Sequence, residues 1–166
     1  KVLCTPSWRE EKQLLHWKKE RLDRYCDIDS PLHYFVTDSA LAQARNECTS
    51  CEYLLVTNAD NYYYPGFLSK ASKLLIRDQA DIVLTDFLHR GEPMVAKVVN
   101  GHMDLGCVLT RFSIFTDAQQ LDFTSLLPEN AEPQDWHDAD FWMVVSLQRR
   151  HNRTVTFLKE MLFIHN

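Results

Sequence analysis

Asn58 and Asp60 lie two apart in EYLLVTNADNYYYPGFL, residues 52–68, where an apolar run ends on a carboxylate between two carboxamides. Alternation along an extended backbone puts both side chains on one side of a strand end, so two oxygen donors face one small volume. Such a pair suits a hard divalent cation, manganese or magnesium, which keeps its remaining positions for water and substrate phosphate. An Asx turn, with both side chains bonded to local amides, is the competing use of the same residues. The four glycines are not spaced as GxGxxG or GxxxxGK, so the dinucleotide fingerprint and the P-loop are both missing. A diphosphate bound by this chain therefore needs a metal ion to neutralise it.

The elements that must carry these residues follow from periodicity. Residues 2–5 form a predicted strand stopped by Pro6, and residues 9–25 a surface helix with Leu14, Leu15, Trp17 and Leu22 among charges. Residues 32–36 read as a second strand, followed by a short helix through Ala40, Leu41, Ala44 and Cys48. Residues 53–57 are a third strand, Pro65-Gly66 opens a helix through Leu74 and Ile76, and residues 81–87 are a fourth strand. This β-α alternation predicts an α/β fold with a mostly parallel central sheet flanked by helices. In such sheets ligands bind beyond the carboxyl ends of the strands. Three predicted strands end near a carboxylate: Asp38, Asp60 and Asp86.

The second half is less regular. Residues 89–103 read as a hairpin or a mobile loop, 107–110 as a strand and 121–134 as a loop. Residues 138–150 read as a helix, with Asp138 and Asp140 in its first turn and Arg149, Arg150 and His151 in its last. Residues 155–164 close the chain as one or two strands. No repeat or boundary interrupts this order, so residues 1–166 are expected to form a single domain.

Composition narrows the class. At 166 residues, 45% hydrophobic and a net charge of −5, the chain is long enough for one sizeable core, and its dispersed Lys and Arg give no nucleic-acid groove. No apolar run approaches the ~20 residues of a membrane span, so no transmembrane segment is expected. Five cysteines form no disulfide framework, and Cys48-Thr49-Ser50-Cys51 has no second CxxC or HxxxH to complete a zinc site. Reduced structural thiols and a cytoplasmic setting are the expectation, with a trimmed secretory-pathway or membrane-anchored catalytic domain as the alternative. Asn152-Arg153-Thr154 is a glycan acceptor only in a secreted chain.

The segment SALAQARNECTSCEYLLVTNADNYYYPGFL resembles the part of family 2-type glycosyltransferases in which Ala-Arg-Asn precedes a strand, an Asp-x-Asp-like motif and a Tyr-x-x-Pro helix start. DLGCVLTRFSIF is similar to that family's glycine-bearing strand, and HDADFWMVVSLQRRHNRTVTFLKEMLFIHN to its Glu-Asp-x-Asp-Leu-Trp helix with a late histidine. The resemblance runs over nearly the whole chain from Val2. It implies a GT-A fold, with a nucleotide-binding half at about 1–88 and an acceptor half at about 89–166, and an inverting glycosyltransferase that moves a sugar from a nucleoside diphosphate sugar to an acceptor hydroxyl with a divalent metal; UDP is the expected nucleotide.

Carried over by position, the resemblance places Thr5 and Pro6 beside the base, Asp38 at base or ribose, and Arg45 near the donor. Asp60 becomes the direct metal ligand, with Asn58 and the late His165 as further candidates. Asp138 matches the general base that takes the acceptor proton; Asp135, Asp138 and Asp140 read without the resemblance are helix-start acids. His137 stands where members carry glutamate, and Asn58 where many carry aspartate. Tyr62, Tyr63, Tyr64, Trp136 and Trp142 could offer stacking faces. Two other readings remain: an inactive nucleotide- or sugar-binding module that kept the fold, and a sugar nucleotidyltransferase, for which a glycine-rich loop after Pro6 is lacking.

Overall fold

A computed structural model describes residues 30–57, 61–117 and 120–165. The predicted strand at 2–5 and helix at 9–25 lie outside them, as do Thr5, Pro6, Asn58 and Asp60.

The first described element corrects a sequence expectation. Helix α1, Ser30–Glu47, absorbs the predicted strand at 32–36 into one continuous helix. β-branched and aromatic residues favour strands only weakly, and tertiary packing overrides them. Leu41, Ala44 and Cys48 are buried at helical spacing, and Ser39 returns its hydroxyl to the carbonyl of Phe35 at 2.9 Å. Asp38, a potential helix competitor, has its carboxylate occupied elsewhere in the fold.

A tight turn leads from α1 to β1, Tyr53–Leu55. Cys48 and Cys51 flank that turn with Cα atoms 5.4 Å apart and form a disulfide, which replaces the expectation of reduced thiols at these two positions. The backbone places the pair within bonding range because the helix ends at Glu47 and the chain reverses at once. Cys107 is a buried free thiol.

The remaining elements in order are β2 (Tyr62–Tyr63), α2 (Phe67–Arg77), β3 (Ile82–His89), β4 (Glu92–Met94), a 3-10 turn at Leu105–Cys107, β5 (Val108–Arg111), α3 (Ser113–Thr116), a 3-10 turn at Thr124–Leu126, α4 (Pro133–His137), α5 (Ala139–Arg150) and β6 (Val155–His165). They build one six-stranded sheet in the order β1-β5-β3-β6-β2, with β4 hairpinned onto β3. The α/β class with flanking helices is as expected, but the direction is not: among the described residues only β3 and β6 pair in parallel, while β1–β5, β2–β6, β3–β4 and β3–β5 are antiparallel. Antiparallel neighbours need no crossover helix. The β3–β4 connection is a two-residue turn at Arg90-Gly91, both at positive φ, the backbone that matches strand twist in a hairpin.

The core lies on both faces of β3, which is why its sequence is a continuous apolar run. Val83 joins Leu109, Ala71, Leu74 and Leu75 under α2, whereas Ile82 and Leu84 join Phe112, Phe115, Met143, Val144 and Leu147 under α5. Each such side chain contributes roughly 1.5–3 kcal/mol by leaving water. Between Thr85 and Phe87 the β3–β6 register shifts, so that β6 passes from Leu158 to Phe163 while β3 advances two residues. This long irregularity bends β6 and re-aims its end. Among the described residues no helix is long and apolar enough to cross a membrane.

Candidate functional site

Parallel pairing brings the carboxyl ends of β3 and β6 to the same edge, where His89 and His165 are register partners. Their Nδ1 atoms stand 3.0 Å apart, and His165 Nδ1 is 3.6 Å from Asp104 Oδ2. Burial, then the neighbouring His165 and Arg90, hold His89 below the usual histidine range. Asp104 is fixed in turn because its Oδ1 accepts from the amide of Gly106 at 2.7 Å, capping the 3-10 turn before β5.

Asn61 enters the same neighbourhood. Its Nδ2 donates to Thr57 Oγ1 at 3.2 Å, and its Oδ1 is buried with no hydrogen-bond partner. Gly106 makes this approach possible: a Cβ there would lie 2.4 Å from the Phe163 ring and 3.0 Å from Asn61 Nδ2. Tyr63 turns inward, stacks on Phe163 and donates to the carbonyl of Gly106 at 3.0 Å. Its neighbours Tyr62 and Tyr64 are exposed and meet edge to face. Of the three tyrosines, two are thus available for stacking and one is core.

Acids close the other side. Asp140 is pushed up to about 7, first by burial and then by the charges of Asp104 and Asp138. Burial followed by Asp140 and Asp104 also raises Tyr34 of α1. Asp104, Asp138 and Asp140 therefore share one field, felt by Tyr34 of α1 and the start of α5.

Asp138 stands at the junction of α4 and α5, and its side chain caps neither helix. Its Oδ2 accepts from Asn100 Nδ2 at 2.7 Å and from Gln134 Nε2 at 3.0 Å. Asp135 behaves differently: one oxygen accepts from the Glu132 amide and the other from Trp142 Nε1, both at 2.8 Å. Trp142 is thereby oriented by a structural carboxylate, and Trp136 packs against Phe35 with centroids 5.5 Å apart.

The other sequence candidates lie apart from this acid cluster. Arg45 donates from Nε to the carbonyl of Phe115 at 2.6 Å, from Nη1 to Asp122 Oδ1 at 2.8 Å and from Nη2 to the carbonyl of Leu121. Asp38 accepts from the amide of Phe123 at 2.6 Å and from the hydroxyl of Thr124 at 2.5 Å; burial nonetheless pushes its carboxyl up to about 6. Both residues fasten α1 to the segment after α3. Asp86 does not end a strand: it is buried in the middle of β3, accepts from the amide of Ala96 at 2.9 Å and has Lys159 at 3.9 Å.

Four residues of this neighbourhood were not read from sequence as candidates: Asn61, His89, Asp104 and Asn100. His89 and Asp104 carried a usable signal, being a histidine two before a hairpin glycine and an acid two before the glycine of the 3-10 turn that leads into β5. Among the described residues no group of three His, Cys, Asp or Glu side chains is arranged to hold a metal ion. The donor types nevertheless fit one in part. An imidazole, a carboxylate and the unpartnered Asn61 oxygen lie in one neighbourhood.

No protein-family model and no curated protein matches the chain. Solved structures do. The chain is similar to crystal structures of S. aureus TarS, a glycosyltransferase: residues 1–349 (TM-score 0.51, 13% identity, 80% of this chain and 40% of that chain) and a longer form (TM-score 0.51, 12% identity, 79% and 24%). It is also similar to residues 1–349 in complex with UDP (TM-score 0.50, 14% identity, 78% and 38%). The chain thus spans less than half the length of these neighbours, and the likeness establishes a glycosyltransferase-like fold.

Proposed function

We propose that this chain carries the donor and base sites of an inverting, metal-dependent glycosyltransferase of GT-A type, acting on a nucleoside diphosphate sugar. The observation that carries the reading is Asp138: a carboxylate that caps no helix, shares its field with Asp104 and Asp140, and does so in a fold like that of TarS. The UDP-bound neighbour supports UDP as the nucleotide.

In this reading the acceptor hydroxyl lies against Asp138. As its oxygen bonds to the anomeric carbon on one face, the bond to the diphosphate breaks on the other, the diphosphate leaves with the electron pair, and Asp138 takes the proton. Inversion follows from a single displacement. Asp60 would hold the divalent cation, with Asn58 and His165 as further ligands, and the bound ion would supply charge neutralisation to the departing diphosphate. Asn61 Oδ1 suits the same task or a sugar hydroxyl, because a buried acceptor without a donor is costly until something fills the gap. Thr5 and Pro6 complete the base pocket in this proposal. Asp38 and Arg45 keep a structural part in this proposal, holding α1 to the segment after α3.

The experiment is UDP-sugar turnover with manganese, followed by release of UDP, for the unmodified chain and for Asp138→Asn. Metal-dependent release lost in Asp138→Asn supports the reading. UDP binding with no sugar release in any metal overturns it in favour of a binding module, and pyrophosphate exchange in favour of a nucleotidyltransferase.

A further inference from the structure

We infer that Asn100 and Gln134 are positioning residues that clamp Asp138 from two sides, an inference that rests on the general-base reading above and extends it. The two carboxamides come from positions 38 and four residues away and converge on one oxygen, Oδ2. Among the described residues, Oδ1 accepts no bond, so the clamp selects the oxygen left for an incoming hydroxyl.

The clamp's distant arm is built for aim. Asn100 precedes Gly101 in a turn closed by the amide of His102 on the carbonyl of Val99 at 3.1 Å, with Gly101 at φ 76°. A type II turn requires that left-handed glycine at its third position. Both legs of the loop are pinned below the surface: Ala96 is buried and donates to Asp86 Oδ1 at 2.9 Å, and Met103 is buried beside the 3-10 turn. A short tip on two fixed legs can present one side chain in one place. The near arm, Gln134, lies one helical turn before Asp138 on α4, whose start is fixed by the reciprocal bonds of Glu132 and Asp135.

The chemistry of the arms suits a base. A lysine or arginine at either position would also orient the carboxylate, but its positive charge would make the oxygen a poorer proton acceptor. A carboxamide fixes direction without adding charge. Neighbouring Asp135 shows what full structural use looks like, with both oxygens bonded.

The test is a double-mutant cycle on turnover with donor KM measured alongside. Asn100→Ala should cut kcat roughly ten-fold, the loss expected when one charge-assisted hydrogen bond guides a reacting group, and should leave donor KM unchanged. Asn100→Asp, which sets a second carboxylate against the first, should fall further than Asn100→Ala. Neither change should reduce the residual rate of Asp138→Asn, because a clamp has nothing to aim once the base is gone. Asn100→Ala slowing Asp138→Asn by the same factor as the unmutated chain, or leaving kcat untouched, overturns the clamp while the base reading stands. Asp138→Asn at full turnover, or no turnover in the unmutated chain, overturns both.

Discussion

Two polar clusters flank α1, and they use their side chains in opposite ways. Toward the segment after α3, Arg45 and Asp38 place donors and acceptors on backbone groups and on Asp122 and Thr124, so that charge serves to fasten a loop. Toward the strand ends, Asn61 keeps a buried oxygen without a partner, Asp140 is crowded by Asp104 and Asp138, and two imidazoles face each other. The first cluster is complete in itself. The second leaves an oxygen without a partner and like charges side by side, and such groups persist only where the surrounding structure enforces them.

The sharpest way to break this contrast is at its most exposed claim. Asp138→Asn should lower turnover by about 10²–10⁴-fold, the usual cost of a lost acid or base, with UDP affinity nearly intact by calorimetry. Asp135→Asn should leave turnover within a few-fold and act on thermal unfolding, since both its oxygens hold structure. Equal losses in the two variants would erase the distinction between them.

Next in size is the fastening cluster. Arg45→Ala leaves a carboxylate and two carbonyls without their donor and should cost about 2–4 kcal/mol of stability, read as a lowered unfolding midpoint. UDP affinity per folded molecule should change little. A variant with normal stability and lost UDP affinity would return Arg45 to the donor site.

The smallest effect is a pH dependence. Asp140 has a carboxyl raised to about 7 against an ordinary value of 3.8. The folded state therefore binds more protons than the unfolded state between those values, and the group removes stability as pH rises through the window. Asp140→Asn should be neutral near pH 4 and stabilising above pH 7. Solvent reaching a half-buried side chain limits the gain to roughly 1–2 kcal/mol. Denaturant midpoints at the two pH values measure it, and a larger gain at the acid end would reverse the assignment.

Much of the scaffold was legible because its signals are local. The double-faced apolar run of β3, the amphipathic spacing of α2 and the acid-to-base polarity of α5 each declare an element from a dozen residues. Strand direction was not legible, since a run such as Val108–Arg111 reads the same whichever way its partner points. The segment at 32–36 misled because its aromatic and β-branched residues look strand-like until Leu41 and Ala44 are known to be buried on the same helix. Candidate site residues divide along the same line. Asp138 and His165 stood out through motifs, whereas Asn100 is significant only through a partner 38 residues distant. The partners of Asp38 and Arg45 are farther still, at separations of 70 to 86, and no spacing rule reaches that far.

Gly106 and Phe163 form a lock whose two halves are written far apart in the chain. With the ring edge 2.4 Å from where a β-carbon would stand, any side chain at 106 must displace the aromatic that Tyr63 stacks on and Phe87 meets at a tilt. The two positions are therefore expected to drift together over evolutionary time: lineages that enlarge 106 should shrink 163, and those that keep the ring should keep the bare backbone. An ancestor that lost both would have lost the packing beside Asn61 with them, so the pair records whether a descendant still holds that side chain in place.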